Sequence, residues 1–175
     1  MVVNPLVVEY GPLLLEDALE GPVLDLACGE GENGLYLASL GLPVILADHS
    51  VDALDVARRS AEERSLDVRL WRVDLETGEN PFAGEQYRGI VVFRYLHRPL
   101  IPFIREAIRK GGLLIYETFT IEQPKYGHPH NPDYLLRPRE LVSWFRDWQM
   151  IHYFEGVLEN PSRAVAQIVC RRPAA

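Results

Sequence analysis

The stretch Val23-Leu-Asp-Leu-Ala-Cys-Gly-Glu-Gly-Glu-Asn-Gly34 decides the fold. Pro22 to Ala27 is apolar except at Asp25 and turns abruptly into Cys28-Gly29-Glu30-Gly31. Asn33 to Leu40 then has the pattern of a helix. Strand, glycine turn, helix is the opening unit of a parallel α/β sheet. Gly29 and Gly31 permit a tight turn and bring backbone N–H groups against a ligand, and the helix start behind them favours a negative group. Gly29, Gly31 and Gly34 also satisfy G-x-G-x-x-G, the dinucleotide pattern, which by itself is a weak signal.

Outward from this unit, strand and helix keep alternating. Pro43 to Ala47 is a buried strand closed by Asp48. Ser50 is placed to cap the next helix, Asp52 suits its first turn, and Leu54, Ala57 and Ala61 form its apolar face. Val68, Leu70 and Val73 belong to a third strand ending at Asp74, and Leu75 to Gln86 reads as loop. Gly89 to Phe93 is a fourth strand. A helix follows from Pro99, buried through Leu100, Ile104, Ala107 and Ile108, and ends at Gly111. Leu113 to Glu117 is a fifth strand. Thr118 to Arg137 reads as a long loop, and Pro138 opens a short helix. Gln149 to Phe154 and Arg163 to Cys170 are close enough to pair as a hairpin. The expected architecture is a Rossmann-like three-layer α/β sandwich. Its seven-stranded sheet is mostly parallel, with an antiparallel C-terminal strand. One domain over residues 1–175 is expected, with 1–20 a candidate lid carrying Tyr10 and Leu13 to Leu15.

Three carboxylates separate the ligand classes. Asp25 lies inside an apolar strand, where a charge is costly unless paired. It calls for a cationic group such as an ammonium and would repel a pyrophosphate. Asp48 ends the second strand, where its two oxygens can accept both hydroxyls of a ribose. Asp74 ends the third strand, where a carboxylate can accept from the amino group of adenine. Each alone is equally well a solvated strand end or a cap. Together, amine, ribose and adenine describe S-adenosylmethionine.

The run Val23 to Gly34 resembles the first motif of class I S-adenosylmethionine-dependent methyltransferases. Val44-Ile-Leu-Ala-Asp48 resembles their second motif and Val73-Asp74-Leu75 their third. Within that superfamily the chain looks most like small bacterial tellurite-resistance-type methyltransferases. The resemblance implies that Asp25, Gly29 and Gly31 hold the methionine part, Asp48 the ribose, and Asp74 with Leu75 the adenine. It places Phe93 and Arg94 on the methyl side and His49 against the adenosine.

Methyl transfer from a sulfonium needs alignment and exclusion of water, and a base only when the acceptor must lose a proton. No triad is therefore expected. The segment Phe93-Arg-Tyr-Leu-His-Arg98 lacks the Pro-Pro-aromatic signature of exocyclic adenine methylation. Candidates for the acceptor side are Tyr95, His97 and Tyr126, with Arg94, Glu117 and His128 nearby. A loop as long as Thr118 to Arg137 is often a binding loop. His128 and His130 are one residue apart, which is too little for a metal site, and none is expected.

A net charge of -7 supplies no global attraction to nucleic acid, and Arg94, Arg98, Arg105 and Arg109 at helical spacing read as a solvated face. A small-molecule or metalloid acceptor is favoured over RNA or protein. Two cysteines, Cys28 and Cys170, make no disulfide framework. No basic residue precedes the N-terminal apolar positions and no run approaches a membrane span, so a cytoplasmic protein is expected. A nicotinamide-dependent oxidoreductase is favoured only by the glycine spacing. A non-catalytic cofactor binder shares every cofactor feature.

Overall fold

The computed structural model describes residues 2–175. Five parallel strands form the body of the sheet: β1 (Val23–Leu26), β2 (Val44–Asp48), β3 (Val68–Arg72), β4 (Tyr87–Phe93) and β5 (Ile108–Phe119). Two more, β6 (Gln149–Leu158) and β7 (Arg163–Arg171), complete the order β3-β2-β1-β4-β5-β7-β6. β7 runs antiparallel to both β5 and β6, as expected for the C-terminal hairpin.

Residue alternation along the strands sorts the core onto two faces. Leu24, Leu26, Ile45, Ala47, Ile90, Val92, Leu114 and Tyr116 point to one side. There they meet α4 (Ile101–Ala107) and α5 (Glu140–Trp144) through Ile104, Leu141 and Phe145. Val23, Val44, Leu46, Val91, Leu113 and Ile115 point to the other. They pack on α1 (Pro5–Tyr10), α2 (Glu32–Ser39) and α3 (Val51–Glu63) through Val7, Leu35 and Ala57. Helices on both faces make the three layers. Ser50 caps α3 as its sequence indicates, accepting the Ala53 amide at 3.2 Å. Such a cap contributes about 1 kcal/mol.

Several boundaries differ from expectation for tertiary reasons. The helix beginning near Pro99 stops at Ala107 rather than Gly111, because Ile108 leaves it to pair with Tyr87 of β4. Both side chains are fully buried, so strand pairing outweighs local helix propensity. Thr118 to Arg137 is more ordered than a loop. β5 runs on to Phe119, two 3₁₀ turns follow, and Thr120 bridges to Leu136. Gln123 ties this segment to the sheet: it accepts the Ala164 amide at 2.8 Å and donates to the His128 carbonyl at 3.0 Å.

The stretch Tyr10 to Leu15 does not form the top of the molecule. Leu14 is 1% exposed and sits on β4 at Gly89, where a Cβ would fall 2.3 Å from its Cδ2. Gly89 pairs with Val23 at the start of β1, the end of the sheet away from the glycine turn, so Leu14 is a core plug there. No helix among the described residues is long and apolar enough to cross a membrane.

Candidate functional site

The strand order reverses between β1 and β4, which are neighbours in the sheet but lead to helices on opposite faces. A crevice must open beyond their carboxyl ends. A cleft of about 1290 Å³ lies there, lined by residues following β1, β2, β3 and β4, by Val2 to Pro5, and by the β6–β7 turn.

The glycine turn builds its floor. Gly29 (φ 56°) and Gly31 (φ 81°) are both left-handed, and a Cβ on Gly29 would meet nothing within 4 Å, so its backbone faces open space. Asp48 holds the turn from the next strand. One of its oxygens accepts the Gly29 amide at 2.8 Å and the other accepts the Ser50 amide at 2.9 Å. Each carboxylate oxygen has a second lone pair, so capacity remains for two hydroxyl donors. His49 extends into solvent beside it, Nδ1 3.3 Å from Asp48 Oδ1, with its side chain 84% exposed.

Asp25 lies deeper, 3% exposed, on the wall of the cleft. Among the described residues its side chain has one hydrogen-bond partner, the Gly34 amide, 2.8 Å from Oδ2. Burial raises its carboxyl to about 7, against the lowering effect of that bond, and the charge of Asp48 adds to the rise. A cationic group in the cleft would stabilise its ionised form. Gly34 is the third glycine of the pattern, and its reason is packing. A Cβ there would lie 2.3 Å from Leu46 Cδ2 and 2.8 Å from Asp25 Oδ2.

Asp74 and Leu75 line the cleft beyond β3, Asp74 exposed with one oxygen accepting the Glu76 amide at 2.9 Å, Leu75 buried. Phe93, Arg94 and Tyr95 form the opposite lip. Arg94 adopts φ 55° while its amide donates to the Glu117 carbonyl at 3.0 Å, which turns the chain sharply off β4. Tyr95 donates to Glu76 across the cleft at 3.2 Å. Burial pushes its phenol up and Glu76 adds to this, so Tyr95 stays protonated at neutral pH. Burial likewise pushes the Cys28 thiol up, with Asp25 and Asp48 adding, which makes it no nucleophile.

Asp25, Gly29, Asp48, His49, Asp74, Leu75, Phe93, Arg94 and Tyr95 thus share one cavity, with Gly31 supporting its turn from beneath. His97 and Tyr126 are not among its lining residues. His97 sits ahead of a 3₁₀ turn, where its carbonyl accepts the Leu100 amide, and Tyr126 is a 44% exposed residue ending another. His128 and His130 stack on each other at 4.4 Å. Among the described residues no cluster of three or more His, Cys, Asp or Glu is placed to hold a metal. The expected arginine face is divided: Arg98 pairs with Glu140, Arg105 with Asp147, and Arg94 lines the cleft.

Val2 to Pro5, within the candidate lid, line the cleft; lining residues that sequence reasoning did not single out are Asn33, Arg72, Glu76, Asn160 and Arg163. Asn4-Pro5 carries a local signal, a helix cap followed by proline at the first helical position. Asn160 and Arg163 arrive through the antiparallel return of β7; the hairpin is legible in the sequence, but that its turn reaches the cleft is not.

Residues 23–112 match the family model described as a methyltransferase domain. The chain is 28% identical over 143 residues to a Haemophilus influenzae protein described as "Probable S-adenosyl-L-methionine-dependent methyltransferase TehB", covering 78% of this chain and 49% of that protein. It is 24% identical over 166 residues to a ubiquinone biosynthesis O-methyltransferase of Actinobacillus pleuropneumoniae, covering 82% and 71%. The crystal structure of TehB from Haemophilus influenzae superposes with a TM-score of 0.80 at 23% identity, over 97% of this chain and 62% of that one, a likeness of fold. The chain spans about half the length of the curated TehB relatives it matches.

Proposed function

Given that the chain belongs to the methyltransferase-domain family, we propose that it binds S-adenosylmethionine in the cleft beyond β1 and transfers its methyl group to a small-molecule or metalloid acceptor. The observation that carries this is Asp25. A buried carboxylate beside a glycine turn, with one backbone donor and an open side toward the cleft, suits an ammonium. The same carboxylate would repel the pyrophosphate of a dinucleotide, which the glycine spacing alone would admit.

In this reading Asp25 and the turn at Gly29 and Gly31 hold the amino-acid end. Asp48 accepts from the ribose hydroxyls, Asp74 with Leu75 takes the adenine, and His49 covers the adenosine. The curated relatives named for S-adenosyl-L-methionine support the same cofactor. When bound, it supplies an already activated methyl group, so the protein's task is alignment and exclusion of water. Phe93, Arg94 and Tyr95 form the lip where an acceptor would approach. Arg94, Arg163 and Asn160 give that side polar and cationic character suited to a small polar or anionic molecule. Tyr95, being protonated, orients as a donor rather than removing a proton.

Titration calorimetry with S-adenosylhomocysteine and NAD tests the proposal. Micromolar or tighter binding of the first and none of the second is expected. Binding of NAD alone would overturn it in favour of an oxidoreductase. Binding of S-adenosylhomocysteine with no transfer to any of a panel of thiols, phenols, carboxylates and oxyanions would favour a cofactor-binding protein without catalysis.

A further inference from the structure

Four polar side chains run from the outer hairpin strand to the cleft. His152 Nε2 on β6 is 2.9 Å from Gln167 Oε1 on β7. Gln167 Nε2 donates to Glu117 Oε2 on β5 at 2.6 Å, and Asn4 Nδ2 donates to Glu117 Oε1 at 3.0 Å. Asn4 closes the row on the cleft wall. Glu117 is 3% exposed, and among the described residues its side-chain partners are these two amides, with no cation.

The direction of the Asn4 bond is forced. Asn4 Oδ1 is occupied in capping α1, accepting the Leu6 amide at 2.9 Å, so Asn4 can offer Glu117 only its NH₂. Gln167 presents its NH₂ to Glu117, which leaves its oxygen toward His152. Two donors converge on one buried position, and a carboxylate accepts both, one at each oxygen. The Asn4 amide is pinned separately to Asn33 Oδ1 at 2.8 Å, beside the glycine turn. Val2, Val3, Asn4 and Pro5 therefore lie across the cleft between β5 and the start of α2.

We propose that Glu117 is a positioning residue that latches the Val2–Pro5 strap over the cleft through Asn4. The role in retaining a ligand rests on reading the cleft as the cofactor site, whereas the latch itself does not. Closure of this kind keeps water from the reacting centre and slows ligand escape. Leu6 and Val7 are buried and keep α1 docked when the latch is cut, so the effect is confined to the strap.

Hydrogen exchange of the ligand-free protein, followed by mass spectrometry over residues 2–8, tests the latch directly. Glu117→Ala should raise exchange there by about tenfold, the scale of one hydrogen bond, and Asn4→Ala by at least as much, because it also removes the α1 cap. The double variant should exceed Asn4→Ala by little. Glu117→Gln should restore protection: its oxygen serves Asn4, its NH₂ faces Gln167, and Gln167 turns over. His152 Nε2 must then accept, a tautomer change visible in ¹⁵N NMR that a merely structural residue would not produce. Unchanged exchange in both alanine variants overturns the latch, as does an unaltered His152 tautomer in Glu117→Gln. The dissociation rate of S-adenosylhomocysteine should rise by about tenfold in the alanine variants. If that ligand does not bind the wild type at all, the cofactor reading fails, and the exchange results decide the latch alone.

Discussion

The Gly34 amide donates to Asp25 Oδ2 at 2.8 Å through a contact with no room for a side chain on the glycine. Helix α2 descends onto β1 at this point, and the close approach both packs the layer and gives the buried carboxylate its backbone donor. Gly34→Ala should therefore destabilise the protein by about 1–3 kcal/mol, the usual cost of overpacking, because Leu46 and Asp25 must both yield. Urea denaturation measures it; a loss below a few tenths would show that the layer can relax.

Under the proposed function, Asp25 should make cofactor affinity depend on pH. Its carboxyl is raised to about 7, so between its ordinary value of 3.8 and that pH the folded chain holds a proton the unfolded chain has released. Stability from this group thus falls as pH rises through that window, and the full cost is present above it. A bound ammonium needs the ionised form. Affinity for S-adenosylhomocysteine should then drop by about tenfold per pH unit below about 7. Asp25→Asn should bind weakly at pH 8 and show a flat profile. Calorimetry across pH 5.5 to 8 decides, and a sloped profile in the asparagine variant would reject the assignment.

Asp48 holds the glycine turn through its bonds to Gly29 and Ser50, and under the proposed function its spare lone pairs accept from the ribose. Asp48→Ala should weaken S-adenosylhomocysteine binding by about 1–3 kcal/mol, the range for losing charge-assisted hydrogen bonds. Unaltered affinity would remove it from the ribose site.

Tyr95 and Tyr126 separate under the same substitution. Tyr95→Phe removes a hydroxyl facing Glu76 within the cleft and should lower turnover by about tenfold or more with cofactor affinity nearly intact. Tyr126→Phe lies off the cleft and should change neither. Steady-state kinetics on any acceptor found, paired with calorimetry, gives the answer, and equal effects from both tyrosines would count against the proposed lip.

The Arg98–Glu140 pair, at 2.6 and 3.0 Å, ties the approach to α4 to α5. Burial works against the Glu140 charge, but the bonds from Arg98 and the Arg137 amide hold its carboxyl below the ordinary 4.5. A depressed value means stability present above the unfolded pKa and lost as pH falls through the folded one. Glu140→Gln should cost about 1–2 kcal/mol at neutral pH, allowing for partial solvent screening. The deficit relative to wild type should shrink in thermal melts as pH drops below 4.5. A deficit independent of pH would point to packing instead.

The parallel body of the sheet, its glycine turn and the line of Asp25, Asp48 and Asp74 were legible in order along the chain. Each depends on periods and spacings local to one strand–helix unit, and strands covered on both faces must read as apolar runs whatever their partners. The antiparallel return was legible too, since a short hairpin allows no other direction. The end of α4 at Ala107 was not, because Ile108 becomes strand only when Tyr87 is beside it. Nor was the Val2–Pro5 wall of the cleft beside the glycine turn. Asn4, Asn33 and Glu117 are 113 residues apart at their extremes and meet only because β5 ends beside the start of α2. Whether His97 or Tyr126 faced the cleft was likewise a matter of side-chain direction after a turn. Local pattern specifies which face of an element is buried; the groups that converge beyond the strand ends are set by how the elements pack.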